Sequence, residues 1–170
     1  MKQLFAQVGL KQVPYVYFIR NQWQDDRALY IEEIEKKLLY PVFVKPANLG
    51  SSVGISRAAN QQELIEAIDL AFKFDRRIIV EQGVEAREVE LAVKGNDNPA
   101  VSVPGEIKPV AEFYDYEAKY QDGSTQLIIP AEVTQSVLEM MEDMAVKAYK
   151  VLDCAGLVRA DFFVTAENEV

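Results

Sequence analysis

Pro41-Val42-Phe43-Val44-Lys45-Pro46-Ala47-Asn48-Leu49-Gly50-Ser51-Ser52-Val53-Gly54-Ile55 is the stretch from which the rest of the chain can be ordered. Its first half is a short apolar run that ends in Lys45, and Pro46 stops the strand and holds that lysine at its mouth. A loop follows. The serines between Gly50 and Gly54 sit where the backbone can approach an anion closely, with hydroxyls and N–H groups as donors, which is phosphate-binding chemistry. It is not a P-loop, because no Gly-Lys-Ser/Thr closes it and the lysine arrives from the strand ahead of the glycines. A Gly/Ser turn between strands, beside a surface lysine, explains the same residues.

Working outward, 170 residues suit one domain or slightly more, and 49% apolar with 26% charged residues is the composition of a soluble globular protein. The net charge of −9 argues against nucleic-acid or anionic-membrane partners bound through bulk electrostatics. A phosphate ligand would therefore be held by a few local cations and a metal. The single cysteine, Cys154, excludes an internal disulfide, fits a reducing cytoplasmic compartment, and reads as a small buried apolar residue. No histidine is present, which excludes Ser-His and Cys-His nucleophiles and imidazole-dependent zinc sites. No apolar run approaches the length of a membrane span.

Residues 4–10 read as the last turns of a helix stopped by Gly9, and residues 13–19 as a strand with Pro14 at its start. A helix is expected over residues 25–39, with Lys36 and Lys37 in its last turn. Residues 59–74 carry helical spacing behind a cap at Asn60 supported by Glu63. Residues 77–82, 88–93 and 100–103 read as strands of one antiparallel meander. Residues 134–152 are the strongest helix, with Met140, Met141 and Met144 in a core stripe and Gly156 as its stop. Residues 157–164 form a strand taken as central, with Arg159 and Asp161 on one face, either as a structural ion pair or as groups pointing into a site. Ahead of these two elements, residues 109–126 mix rings and charges without period, reading as a cover over a site or as an Ω-loop packed by its own side chains. Successive helices, strands and hairpins give an α+β layered class.

Together, Val44-Lys45-Pro46, Gly50-Ser51-Ser52-Val53-Gly54, Phe113-Tyr114-Asp115-Tyr116-Glu117-Ala118-Lys119-Tyr120 and Arg159-Ala160-Asp161-Phe162-Phe163 resemble the ATP-grasp enzymes, and within them the D-alanine–D-alanine ligases. The resemblance implies an incomplete ATP-grasp fold of antiparallel sheets with packed helices. It implies an end of a helix or linker at 1–12, a central ATP-lid subdomain at 13–95 and a partial C-terminal subdomain at 96–170 with the Ω-loop at 109–126. By the same resemblance Lys45 contacts ATP phosphates and residues Gly50, Ser51, Ser52, Val53 and Gly54 form the closing loop, with Ser51 also positioning substrate. Glu81 and the backbone at Val84 read adenine, Glu88 takes the ribose hydroxyls, and Lys119 meets the terminal phosphate. Tyr120 ties the lid to Ser51, Arg159 is the oxyanion cation, and Asp161 is one ligand of magnesium, or of manganese in its place.

The implied reaction phosphorylates the carboxylate of one D-alanine, after which the amine of a second displaces phosphate, making a peptidoglycan precursor. Charge neutralisation suffices for such chemistry, so no histidine is required. Departures from the family's pattern are equally definite. The family's other magnesium ligands, in a segment like Asn-Glu-Ile-Asn-Thr, are expected beyond Val170, and the domain that binds the first D-alanine is expected ahead of Met1. The chain then reads as a fragment of a homodimeric enzyme that binds nucleotide without ligating, and D-alanine-dependent phosphate release from it would contradict this. Two rival readings are a ligase with a D-lactate acceptor and a catalytically silent α+β binding module.

Overall fold

The computed structural model describes residues 1–108 and 126–170, so Lys119, Tyr120 and all but the last residue of the expected Ω-loop lie outside the described residues. The chain opens on helix α1 (Lys2–Gln7). Its end is a Schellman motif: Gly9 adopts φ +71°, with Gly9 N–H donating to Ala6 O and Leu10 N–H to Phe5 O, as the glycine predicted.

Residues 13–84 make one unit. Strand β1 (Tyr15–Ile19) is followed by α2 (Arg20–Asp25), α3 (Arg27–Lys37), β2 (Val42–Pro46), β3 (Ser56–Ala58), α4 (Gln61–Ala71) and β4 (Arg77–Gln82). The four strands pair antiparallel in the order β1-β4-β2-β3. Alternation along each strand sends Val16, Phe18, Val42, Val44, Ile78 and Val80 to one face, where Trp23, Ile34, Leu64 and Ile68 of the helices complete a buried core. The helix expected over residues 25–39 is α3, two residues shorter at each end, and α2 ahead of it was not expected. Asp26 leaves the helical region (φ −151°, ψ 81°) and its side chain accepts from Leu29 N–H at 3.0 Å, capping α3, while α2 turns Trp23 inward onto Phe18. The cap expected on α4 is formed: Asn60 accepts from Glu63 N–H at 3.1 Å, and the Glu63 carboxylate accepts from Ala59 N–H at 2.8 Å.

The other unit comprises residues 1–12, 85–108 and 126–170 among those described. It holds α1, β5 (Arg87–Gly95), β6 (Ala100–Val101), β7 (Gly105–Lys108), β8 (Gln126–Ile128), α5 (Gln135–Val151) and β9 (Gly156–Val164). One edge of β5 pairs with β7 and then β6, and its other edge pairs with β9 from end to end. This overturns the single meander: β4 and β5 belong to different sheets, because the chain between Gln82 and Arg87 leaves one ladder before it enters the next. It also moves the expected division at residue 95, since β5 is bound along its whole length to β9 and falls with the later unit.

Val89, Leu91 and Val93 pack under Val137, Met141, Ala145 and Tyr149 of α5. Tyr149 Oη donates to Gly95 O at 2.6 Å, pinning the helix to the end of β5. Only Met141 of the expected methionine stripe is fully buried; Met140 is 42% exposed, because α5 needs one narrow stripe against a single sheet face. Cys154 is half-buried rather than buried. Helix α5 ends at Val151, five residues before Gly156, with Leu152 as C-cap and Asp153 at φ +52°, and Gly156 starts β9 instead. Strand β9 is not central either, for among the described residues it pairs with β5 alone. No helix among the described residues is long and apolar enough to cross a membrane.

Candidate functional site

In the unit of residues 13–84 the helices cover one sheet face, and the opposite face carries two rows of side chains, Tyr15-Glu81-Phe43 and Tyr17-Ile79-Lys45. Lys45 and Glu81 are diagonal neighbours on it, Nζ to Oε2 at 2.5 Å, with the glutamate side chain only 10% exposed. A buried carboxylate is costly unless a cation and hydrogen bonds compensate it, so the lysine is held at this spot by Glu81. The surroundings are apolar and aromatic, as a slot for a flat ring requires, with the Tyr15 and Tyr17 ring centroids 6.3 Å apart.

The end of β4 is fixed by backbone substitutes. The Gln82 amide accepts from Leu39 N–H at 2.7 Å and donates to Leu39 O at 2.8 Å, replacing a strand partner. Gly83 N–H donates to Pro41 O at 3.0 Å, and a Cβ on Gly83 would stand 2.5 Å from that same oxygen, so only glycine permits the approach. Val84 follows, 39% exposed, on an anchored backbone.

The Gly50–Gly54 loop hangs from Asp75, whose Oδ2 accepts from Asn48 N–H at 2.9 Å and Asn48 Nδ2 at 2.8 Å. Burial pushes the Asp75 pKa upward, but hydrogen bonds from Arg77, Asn48 and Arg76 outweigh it and hold the carboxyl below its ordinary value. Within the loop Ser51 and Ser52 both lie in the left-handed region, at φ +53° and +57°, with Val53 N–H donating to Gly50 O and Ile55 N–H to Ser52 O. Two successive left-handed serines are strained by about 1–2 kcal/mol each, and such strain concentrates at ligand-binding turns.

Gly54 adopts φ +71°, and a Cβ there would meet Phe74 Cδ2 at 2.6 Å and Pro46 Cγ at 3.0 Å, whereas Gly50 has open space around it and no positive φ. Gly54→Ala is therefore expected to cost about 1–2 kcal/mol in urea unfolding, and Gly50→Ala under about 1 kcal/mol. Equal costs would show that the loop is not held in this conformation.

In the other unit, the sheet face turned away from α5 carries Glu88, Glu90 and Ala92 on β5 opposite Phe163, Asp161 and Arg159 on β9. Arg159 clamps Asp161 with both arms, Nε to Oδ1 at 2.7 Å and Nη2 to Oδ2 at 3.0 Å, and both side chains are well exposed at 61% and 64%. The expected pairing is thus real, and it sits on an open surface where carboxylate and guanidinium can reach a ligand. Among the described residues no three His, Cys, Asp or Glu side chains gather to hold a metal ion. Asp161 fits a divalent cation as one oxygen ligand, provided Arg159 releases it.

Three groups escaped the sequence reading. Asp75 is one, Glu90 another, and the third is the pair Arg87–Glu106 on the helix side of the same sheet, Nε to Oε1 at 2.9 Å and Nη2 to Oε2 at 2.6 Å. Arg87's hydrogen bonds hold the Glu106 carboxyl below its ordinary pKa against the opposing effect of burial, and raise the Arg87 value in turn. The signal for this pair was the period-two alternation of β5, which puts Arg87 on the same face as Val89 and Leu91.

Of the sequence-predicted residues, then, Lys45 and Glu81 meet, residues 50–54 form one strained loop, Arg159 and Asp161 meet, and Glu88 shares their face. Lys119 and Tyr120 are outside the described residues. Residues 4–170 match the family described as D-ala D-ala ligase C-terminus. The chain is 57% identical over its whole length to a D-alanine--D-alanine ligase of Listeria innocua and 55% identical to one of Bacillus licheniformis, covering 47% of each. It therefore spans about half the length of the curated relatives it matches.

Among solved structures, the VanG D-Ala:D-Ser ligase from Enterococcus faecalis superposes with a TM-score of 0.86 at 36% identity, over 98% of this chain and 48% of that one. The D-alanine-D-alanine ligase from Coxiella burnetii gives 0.80 at 29% identity, over 99% of this chain and 43% of that one. With sheets and helices arranged as in those ATP-grasp ligases and a family match across nearly all its residues, the chain belongs to the D-ala D-ala ligase C-terminus family.

Proposed function

We propose that this chain is the nucleotide-binding part of an ATP-dependent ligase that joins two D-alanines. The observation that carries this reading is its 52–57% identity, over all of its residues, to proteins named D-alanine--D-alanine ligase. Lys45, oriented by Glu81, contacts ATP phosphates, and the strained Ser51-Ser52 turn with Gly50, Val53 and Gly54 closes on them. The apolar face around Phe43 and Ile79 takes the purine, with Glu81 and the Val84 backbone at its hydrogen-bonding edge and Glu88 accepting from the ribose hydroxyls. Ser51, with Lys119 and Tyr120 from the aromatic segment, orients substrate and terminal phosphate. Arg159 neutralises oxyanion charge, and Asp161 is one magnesium ligand; that ion, when bound, supplies charge neutralisation at the phosphoryl oxygens.

Homodimerisation and a cytoplasmic location accompany this reading. An acceptor other than D-alanine is the second reading, favoured by the likeness to a D-Ala:D-Ser ligase.

Calorimetry and thermal shift test the nucleotide assignment. Mg-ATP is expected to raise the melting temperature, by about 2.7 kcal/mol of added stability at a nucleotide concentration one hundred times Kd. Lys45→Met is expected to weaken ATP binding by about tenfold or more, as loss of one charge-assisted contact does. Unchanged affinity in that variant would overturn the Lys45 assignment, and no thermal response to Mg-ATP in the parent chain would leave only the silent binding module.

A further inference from the structure

Glu90 stands on β5 directly opposite Asp161, with its side chain 27% exposed. Its Oε2 is buried and makes no hydrogen bond, although it lies 3.0 Å from Arg159 Nε. The reason is stoichiometric. The guanidinium Nε carries one proton, and that proton is donated to Asp161 Oδ1 at 2.7 Å. A buried carboxylate oxygen is thereby left as an unused acceptor beside a donor committed elsewhere, an arrangement that costs free energy and is rare unless a second state uses it.

We propose that Glu90 is a positioning residue that receives the Arg159 Nε–H when Asp161 turns to a divalent cation. The inference rests on the reading of Asp161 as a metal ligand. Asp161 cannot hold Arg159 with both oxygens and also face an ion, because a carboxylate oxygen sharing its lone pairs with a guanidinium fork is poorly placed for a metal. Glu90 resolves the conflict. The Nε–H shifts from one carboxylate to the other over a distance already at hydrogen-bond length, and Arg159 stays at the site with its charge compensated. A cation freed of Asp161 without such a partner would swing into solvent on its long side chain.

The exchange of Arg159 Hε with solvent, followed by NMR in this chain and identified by its loss in Arg159→Lys, tests the hand-over. In Asp161→Ala the proton is expected to remain protected, about tenfold slower to exchange than in Asp161→Ala/Glu90→Met. Glu90→Met alone is expected to leave the melting temperature unchanged or higher, and to lower it in the Asp161→Ala background, a reversal of sign that additive packing effects do not produce. Equal exchange in the single and double variants, or additive melting shifts, would overturn the proposal. Protection in Asp161→Ala is read without any nucleotide. A chain that shows it but fails to bind Mg-ATP refutes the nucleotide reading while the exchange between carboxylates stands, and a chain that binds Mg-ATP without it refutes the exchange alone.

Discussion

Arg87→Met is expected to lower unfolding stability by about 2–3 kcal/mol at neutral pH, and by less in acid. Glu106 is only 3% exposed, and the Arg87 guanidinium meets it with two nitrogens. Breaking a buried pair by removing one partner typically costs about 3–5 kcal/mol, and the value is reduced here because Arg87 is 39% exposed and water screens its half of the interaction. The pH dependence follows from the direction of the shift. In the parent chain the Glu106 carboxyl titrates below its ordinary value, so its contribution is complete above the unfolded-state pKa and is lost as pH falls through the folded one.

In the variant the pull of Arg87 is gone and only the attraction of Lys108 opposes burial, so that pKa moves up. The variant then has less of this contribution to lose as pH falls, and the gap between the two proteins narrows toward about pH 4. Urea titrations at two pH values measure this, and a gap independent of pH would mean that Glu106 is not the group left uncompensated.

Trp23→Ala is expected to cost about 3–4 kcal/mol, within the usual range for emptying a large aromatic site. The indole is 1% exposed, stacks on Phe18 at 5.5 Å between centroids, and donates from Nε1 to Asp69 at 3.3 Å. Arg27 lies over the ring at 5.4 Å, so truncation also removes a cation–π contact. Trp23→Phe keeps the stack and loses the hydrogen bond, and is expected to cost less than half as much. Urea unfolding followed by circular dichroism separates them, the only tryptophan being the one removed. A cost under about 1 kcal/mol for the alanine variant would show that α2 is not part of the core of its unit.

That helix was not legible in the sequence, and the reason is physical. Residues 20–25 offer one apolar side chain, Trp23, so no periodicity announces them; what makes them helical is the burial of that one ring. The following helix was expected to begin at Asp25, and the cap that Asp26 places on Leu29 N–H sets its true start at Arg27. By contrast β2 and β4 were readable as short apolar runs ended by Lys45-Pro46 and by Glu81-Gln82, whereas the meeting of Lys45 with Glu81 comes from the register between the two strands. The order of strands was not readable. Nothing local in residues 77–101 distinguishes hairpin neighbours in one sheet from strands of two sheets, because that choice is made by distant partners, β1 for one and β9 for the other. Residue pairs such as Arg159 and Asp161 were found through their spacing, whereas Asp75 and Glu106 owe their roles to chain segments far away in sequence.

Strand β9 is nine residues long and, among the described residues, is joined to a neighbour along one side only. Along its other side no strand among the described residues pairs with it, and Leu157, 71% exposed, and Phe163, 39% exposed, lie near its two ends. Such a border templates addition of further strands, and mid-strand charges are the usual deterrent. In this chain, neutralising Arg159 and Asp161 together is therefore expected to turn a dispersed solution into one that sheds precipitate as concentration rises.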